Sequence, residues 1–247
     1  MSPTDDRSPT PTTSAGVDRS HDHSTVQKLA FIGVHALSVA IAAWVVFGGG
    51  TAAIGSLFGR SWRVHDPTRA ALVFGAAVLY FVRHAITLFY LIMRRITWSE
   101  GMGLGVFILA IEVGFCLLST GATRSAAMAL GWLDYLAIAL VLVGSYLNSA
   151  SEIGRKWWKR DPANKGHCYT EGLFRYSMHI NYFGDTLMFS GWCLLTSVFW
   201  TLAVAAMMTA MFIFMHIPGL DSYLAERYGE EFRAYAARTK KFVPWVY

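Results

Sequence analysis

Charge is scarce in this sequence. Only 15% of its 247 residues are Asp, Glu, Lys or Arg, against about 25% in an ordinary soluble domain. Cysteine is scarce as well. Cys116, Cys168 and Cys193 form no CxxC pair and no metal-ligand spacing, so they read as isolated small apolar residues and no metal site is expected. No GxGxxG follows a strand and no GxxxxGK[ST] is present, which excludes a Rossmann or P-loop scaffold. The absence of GxSxG, SxxK and HExxH leaves hydrolase chemistry without support.

Apolar residues are plentiful. They make up 54% of the chain, and the mean hydropathy is +0.39. Several apolar runs reach the roughly 20 residues that a helix needs to cross a bilayer. The expected fold is an all-α polytopic membrane protein. Spans are expected at 29–47, 70–93, 102–120, 130–149, 183–199 and 200–217. The glycine-rich stretch 48–59 reads as a re-entrant half-span, which makes the bundle six to seven transmembrane helices. Pro218 and Gly219 are expected to end the last span. The final stretch, LDSYLAERYGEEFRAYAART, reads as an amphipathic interfacial helix with Leu220, Leu224, Tyr228 and Tyr235 near one face. Residues 1–27 are Ser, Thr, Asp and Pro with almost no apolar content, so a disordered tail is expected there and not a signal peptide. Residues 28–247 form a single membrane domain.

The formal charge of +5 follows from Lys and Arg in loops next to apolar spans, the positive-inside pattern, so nucleic acid is excluded as a partner. The basic loop around Arg155, Lys156, Lys159, Arg160 and Lys165 and the tail with Arg233, Arg238, Lys240 and Lys241 are expected at the cytoplasmic face. Arg60, Arg63 and Arg69 are a misfit, since six spans put them outside.

The second span carries Tyr80, Arg83, Thr87, Tyr90 and Arg94 at spacings of three and four, hence along one helical face. An arginine inside a span costs roughly 2.5–3.5 kcal/mol on insertion scales. Such a face should look onto a polar cavity or a ligand. Glu112 in the third span is the expected counter-charge for Arg83. The bland alternative is a structural Arg–Glu pair with snorkelling at the helix end. His84 and His35 read as core histidines, and Asp134 as interfacial.

A second polar set gathers at the cytoplasmic side. Asn148 and Glu152 end the fourth span, RYSMHINYFGD follows at 175–185, and the tail adds Asp221, Tyr223 and Arg227. Lys159 and Arg175 suit phosphate. Asn148, Glu152, Asn181 and Asp185 suit ribose hydroxyls or a carboxamide. This mixture fits an anionic nucleotide cofactor.

GLFRYSMHINYFGD before a span, DPANKG upstream, HIPGLD before the tail and ERYGEEFRAYAARTKKFVPWVY at the end resemble the membrane reductases related to steroid 5α-reductase and sterol C14 reductase, in particular their bacterial DUF1295 branch. The likeness covers about residues 140–247. It implies a bundle of about seven helices that holds NADPH from the cytoplasmic side and reduces a conjugated C=C by hydride transfer and protonation. By position in the motif it implies cofactor contacts at Asn148, Glu152, Lys159, Tyr176, Asn181, Asp185, Asp221 and Tyr223, with Arg175 and His179 as further candidates. The tyrosine acid becomes Tyr80 or Tyr90, next to Arg83, with Glu112 as the nearby acidic candidate. Met178 and Ile180 replace Arg and Pro of a common RYSRHPNYFGE form, and Asp185 replaces its Glu. Isoprenylcysteine carboxyl methyltransferases of the same superfamily bind S-adenosylmethionine through a related RHPxY motif, which this chain lacks.

The leading expectation is an NADPH-dependent reductase of a lipophilic, conjugated substrate that enters from the bilayer. It would be multi-pass in a bacterial inner membrane, among membrane lipids, with no obligate protein partner readable. The alternatives are an S-adenosylmethionine-dependent methyltransferase and a non-enzymatic protein that binds lipid or sterol.

Overall fold

The computed structural model describes residues 13–14, 17–18 and 22–247. Most of the expected tail lies outside the described residues. Within it, Thr13–Ser14 (β1) and Val17–Asp18 (β2) pair antiparallel. The remaining regular structure is helical, and among the described residues five helices are long and apolar enough to cross a membrane.

The first is α1, Thr25–Phe47. Its start is tied down twice: Ser24 Oγ accepts from the Ile96 N–H at 3.1 Å, and Lys28 Nζ donates to the Ile92 carbonyl at 2.9 Å. It stops at Gly48 and Gly49, the latter with φ +83°, a conformation open to glycine. The expected half-span is a short helix, α2, Gly50–Leu57. α3, Pro67–Ile86, opens on a proline in its first turn, where a missing N–H costs nothing. It continues as one π-helical turn, Thr87–Leu91, closed by Ile92 N–H to the Thr87 carbonyl at 2.8 Å. α4 is Trp98–Ser119, and α5 is Trp132–Trp158.

α6, Ile180–Leu195, occupies the place of the fifth expected span. At 16 residues it is shorter than the usual roughly 20-residue crossing. It runs antiparallel to α5 in close contact, and glycines set the distance. A Cβ on Gly144 would meet the Gly184 carbonyl at 2.4 Å, and one on Gly191 would meet the Ala137 carbonyl at 2.5 Å. Small residues at such a seam let two backbones approach within a membrane. α6 also seats Trp192 in the core, where the indole N–H donates to the Val73 carbonyl at 3.2 Å and the ring packs on Tyr80, Phe115 and Phe189.

The last span is continuous from Phe199 to Tyr228, not ended at Pro218. It comprises α7, Leu202–Met211, a π-helical turn Phe212–His216, and α8, Ile217–Tyr228. Pro218 has no N–H to give and its ring crowds the carbonyl four residues back. That carbonyl lies inside the π turn, whose wider winding makes room. The helix breaks at Gly229 (φ +54°), and α9, Glu230–Arg238, follows.

One buried and one half-buried ion pair organise the end far from the C-terminal arm. Arg69, 1% exposed, pairs with Asp134 and reaches the Leu195 carbonyl at 3.3 Å. Asp66 holds Arg124 and accepts from the Met128 N–H at 2.6 Å. Arg69 is therefore a core residue and not a loop charge, which removes it from the orientation misfit. Asp134 is its partner.

Candidate functional site

Two cavities abut at the end of the bundle where α3, α5 and α8 finish and α6 begins. The outer one, about 380 Å³, is lined by Lys159, Cys168, His179, Tyr182, Phe212 and Tyr228, among others. The inner one, about 360 Å³, is lined by Tyr80, Arg83, His84, Thr87, Asn148 and Asp185. Arg94, Glu152, Arg155 and Asn181 line both. They are the partition.

The partition follows from the glycine seam. Close approach of α5 to α6 brings Asn148 beneath the first turns of α6. Asn148 Nδ2 donates to Asp185 Oδ2 at 2.9 Å and to the Asn181 carbonyl at 3.2 Å. Asn181 Nδ2 donates to Glu152 Oε1 at 3.0 Å, and Arg155 binds the other oxygen of Glu152. Asp185 Oδ1 receives Arg83 Nη2 at 2.7 Å. The counter-charge of Arg83 is thus Asp185, not Glu112 as its span position suggested. Glu112 is fully buried elsewhere, with Oε1 2.8 Å from His35 Nε2 and Oε2 accepting from Ser38 Oγ at 2.5 Å. Arg83 Nε is buried and has no protein acceptor.

The face expected from Tyr80 to Arg94 divides at the π turn. Tyr80, Arg83 and Thr87 look onto the inner cavity. Winding by i→i+5 rotates the residues at its end relative to the helix before it. Tyr90 then turns away from both cavities, its hydroxyl bound by Trp157 Nε1 at 2.9 Å and Arg160 Nη2 at 2.8 Å. Arg94 lies past the helix end and pairs with Glu100.

The C-terminal arm closes the outer cavity. Met178 and His179 donate their N–H groups to the Lys240 and Lys241 carbonyls at 2.8 and 3.1 Å. Tyr235 donates to the Phe174 carbonyl at 2.6 Å. Leu220, Leu224, Tyr228 and Tyr235, the face read as membrane-seeking, all line this cavity. His179, 1% exposed, is held by Asp221 Oδ1 at 2.8 Å, and Lys241 Nζ lies 3.3 Å from the other oxygen. Cys168 and Tyr235 share a small apolar cluster with Met178 and Phe232. Burial there pushes the Cys168 thiol up to about 11 and raises the Tyr235 phenol as well.

Four of the ten residues assigned to the cofactor line the outer cavity (Glu152, Lys159, His179, Asn181), and Asn148 and Asp185 line the inner one. Asp221 acts on His179. Arg175 lies over the exposed Tyr176 ring, which packs on Trp245, and Tyr223 bonds Arg227; these three candidates line neither cavity. Glu100, Tyr169 and Phe212 join the outer wall without any motif to announce them, and His216, the first residue of HIPGLD, joins it too. Only the i to i+4 spacing of Phe212 and His216 hinted at a shared face.

A family profile described as "Protein of unknown function (DUF1295)" matches residues 45–239. A protein of Ustilaginoidea virens named "Probable O-methyltransferase ustE" is 34% identical over 96 residues, which is 38% of this chain and 34% of that protein. The chain therefore spans about a third of that relative's length.

Proposed function

The chain belongs to the DUF1295 family, and from that premise we propose that it is an NADPH-dependent membrane reductase of a lipophilic substrate with a conjugated C=C. The observation that carries this reading is the pair of cavities sharing one polar partition. Hydride transfer needs the carrier and the guest in direct contact, and two adjoining cavities let each be held on its own side and meet where Arg94, Glu152, Arg155 and Asn181 stand. Arg94, Arg155 and Lys159 on the outer side supply positive charge, and Asn181 and Glu152 supply amide and carboxylate for hydroxyls. The unpaired buried Nε of Arg83 suits an acceptor oxygen on the inner side.

NADPH bound there would supply a hydride. The chain's own part is to orient and to protonate. Tyr80 lines the inner cavity with its ring in the apolar core beside Trp192 and Phe189. A phenol in such a setting stays neutral and can donate its proton to the carbon or oxygen that gains charge. Arg83, fixed by Asp185, sits 5.9 Å from the Tyr80 ring and offers positive charge to a polarised carbonyl. Arg94, Arg95, Arg155, Lys156, Lys159, Arg160 and Lys165 crowd the cavity end of the bundle, which supports a cytoplasmic carrier site and a cytoplasmic C-terminus.

A second reading, methyl transfer from S-adenosylmethionine, is favoured by the printed name of the Ustilaginoidea virens relative. Calorimetric titration of purified protein in detergent separates the two. NADPH binding without S-adenosylmethionine binding supports the reductase, and the reverse result replaces it.

A further inference from the structure

Buried charge in a membrane core needs a reason. Glu112 on α4 and His35 on α1 are both fully buried, and neither lines a cavity. His35 Nε2 is 2.8 Å from Glu112 Oε1, and His35 Nδ1 is 3.2 Å from His84 Nδ1. His84 lines the inner cavity and packs against the Tyr80 ring at 4.2 Å between centroids. Its Nδ1 is taken by His35, so Nε2 is the nitrogen left for the cavity.

We propose that Glu112, His35 and His84 form a two-imidazole proton wire that stores a proton in the core and delivers it into the inner cavity at His84 Nε2. In the loaded state Glu112 carries the proton and donates it to His35 Nε2. His35 Nδ1–H donates to His84 Nδ1, and His84 Nε2–H faces the cavity. When an acceptor takes the Nε2 proton, the His35 Nδ1 proton moves to His84 Nδ1. The Glu112 proton then moves to His35 Nε2. Both rings are neutral before and after, and the only net change is Glu112 from acid to carboxylate. The carboxylate keeps two donors, His35 Nε2–H and Ser38 Oγ–H, which offsets part of the cost of burying it. A proton from the medium, carried into the cavity by water as hydronium, reloads the wire by the reverse path and leaves neutral water behind. The charged and titratable groups around it are Tyr80 and Arg83 on α3, Cys116 on α4 and Asp185 on α6, and Tyr80, in ring contact with His84, is the natural recipient once its phenol has given its own proton away and stands as phenolate.

The wire rests on the inner cavity being the reaction site, but its test needs no turnover. Infrared spectra of cofactor-free protein in detergent should show a protonated-carboxyl band that Glu112→Gln removes. After dilution into D₂O, this band should shift quickly in the native protein. In His84→Phe the shift should slow by about tenfold or more, because exchange then waits for local opening of the packed core. Should Glu112→Gln fail to fold, Glu112→Asp assigns the same band by displacing it. His35→Gln should slow exchange as His84→Phe does. A spectrum with no band sensitive to position 112, or an exchange rate indifferent to His84, overturns the wire. Protein that binds no NADPH yet shows the His84-dependent exchange retains the wire and loses the reductase reading.

Discussion

Arg83 and Asp185, 102 residues apart in sequence, meet at 2.7 Å and join α3 to α6. Both face the inner cavity. Removing the carboxylate leaves a buried guanidinium without its counter-charge. Asp185→Ala should destabilise the protein by about 3 kcal/mol, the low end for a broken buried pair, because Asp185 keeps 20% of its surface. Adding Arg83→Met should recover part of that loss, since the two positions are directly coupled. Thermal unfolding in detergent of the single and double variants checks both.

Asn181 joins the two cavities through its bond to Glu152. Asn181→Ala should weaken NADPH binding at least tenfold, about 1.4 kcal/mol, with little change in unfolding temperature. Calorimetric affinity that matches the native protein would remove Asn181 from the carrier site.

Tyr80 and Tyr90 should part company under the same substitution. Tyr80→Phe should retain carrier binding and lose turnover by about two to four orders of magnitude, the usual range for a general acid. Tyr90→Phe should retain turnover, because Trp157 and Arg160 hold that hydroxyl outside both cavities. Oxidation of NADPH with a conjugated lipid ketone is the assay.

The glycine seam makes a prediction about shape alone. A Cβ at Gly184 would lie 2.7 Å from the Asn148 nitrogen. Gly184→Ala should cost about 1–3 kcal/mol by overpacking and also weaken the carrier site, since Asn148 moves with its backbone. Gly103→Ala, with nothing within 4 Å, should not destabilise and serves as the control. Unfolding midpoints and NADPH affinity report the two effects.

Alkali should loosen the C-terminal arm. The Cys168 thiol has its pKa raised by burial to about 11 from 9.0. A group raised on folding stabilises fully below its unfolded value, and loses that contribution as pH climbs through the folded value. The arm's docking should therefore be constant up to about pH 9 and weaken towards about pH 11, with Tyr235 adding to the same trend. Limited proteolysis between Arg233 and Lys241 across that window measures it, as does thiol alkylation with a matching midpoint.

Hydropathy announced the helices, and the motif at 175–185 announced the pocket, because both are patterns within one stretch of chain. What escaped depends on winding and on partners far away. The π turn after Ile86 rotates Tyr90 off a face that plain 3.6-residue periodicity had assigned to it. Pro218 looked like a terminator because proline usually is one; the wider turn before it is not a compositional signal. Glu112 was the nearest acid to Arg83 along the spans, yet the antiparallel seating of α5 and α6 brought Asp185 closer. The tail's apolar face was legible as apolar, but amphipathicity alone does not tell a lipid surface from a cavity wall.

Arg94, Glu152, Arg155 and Asn181 divide the two chambers with side chains, not with backbone. A divider of that kind can be rebuilt one residue at a time while the helices behind it stay put. What each chamber admits is then separately adjustable, and one scaffold can exchange its chemistry without surrendering its architecture.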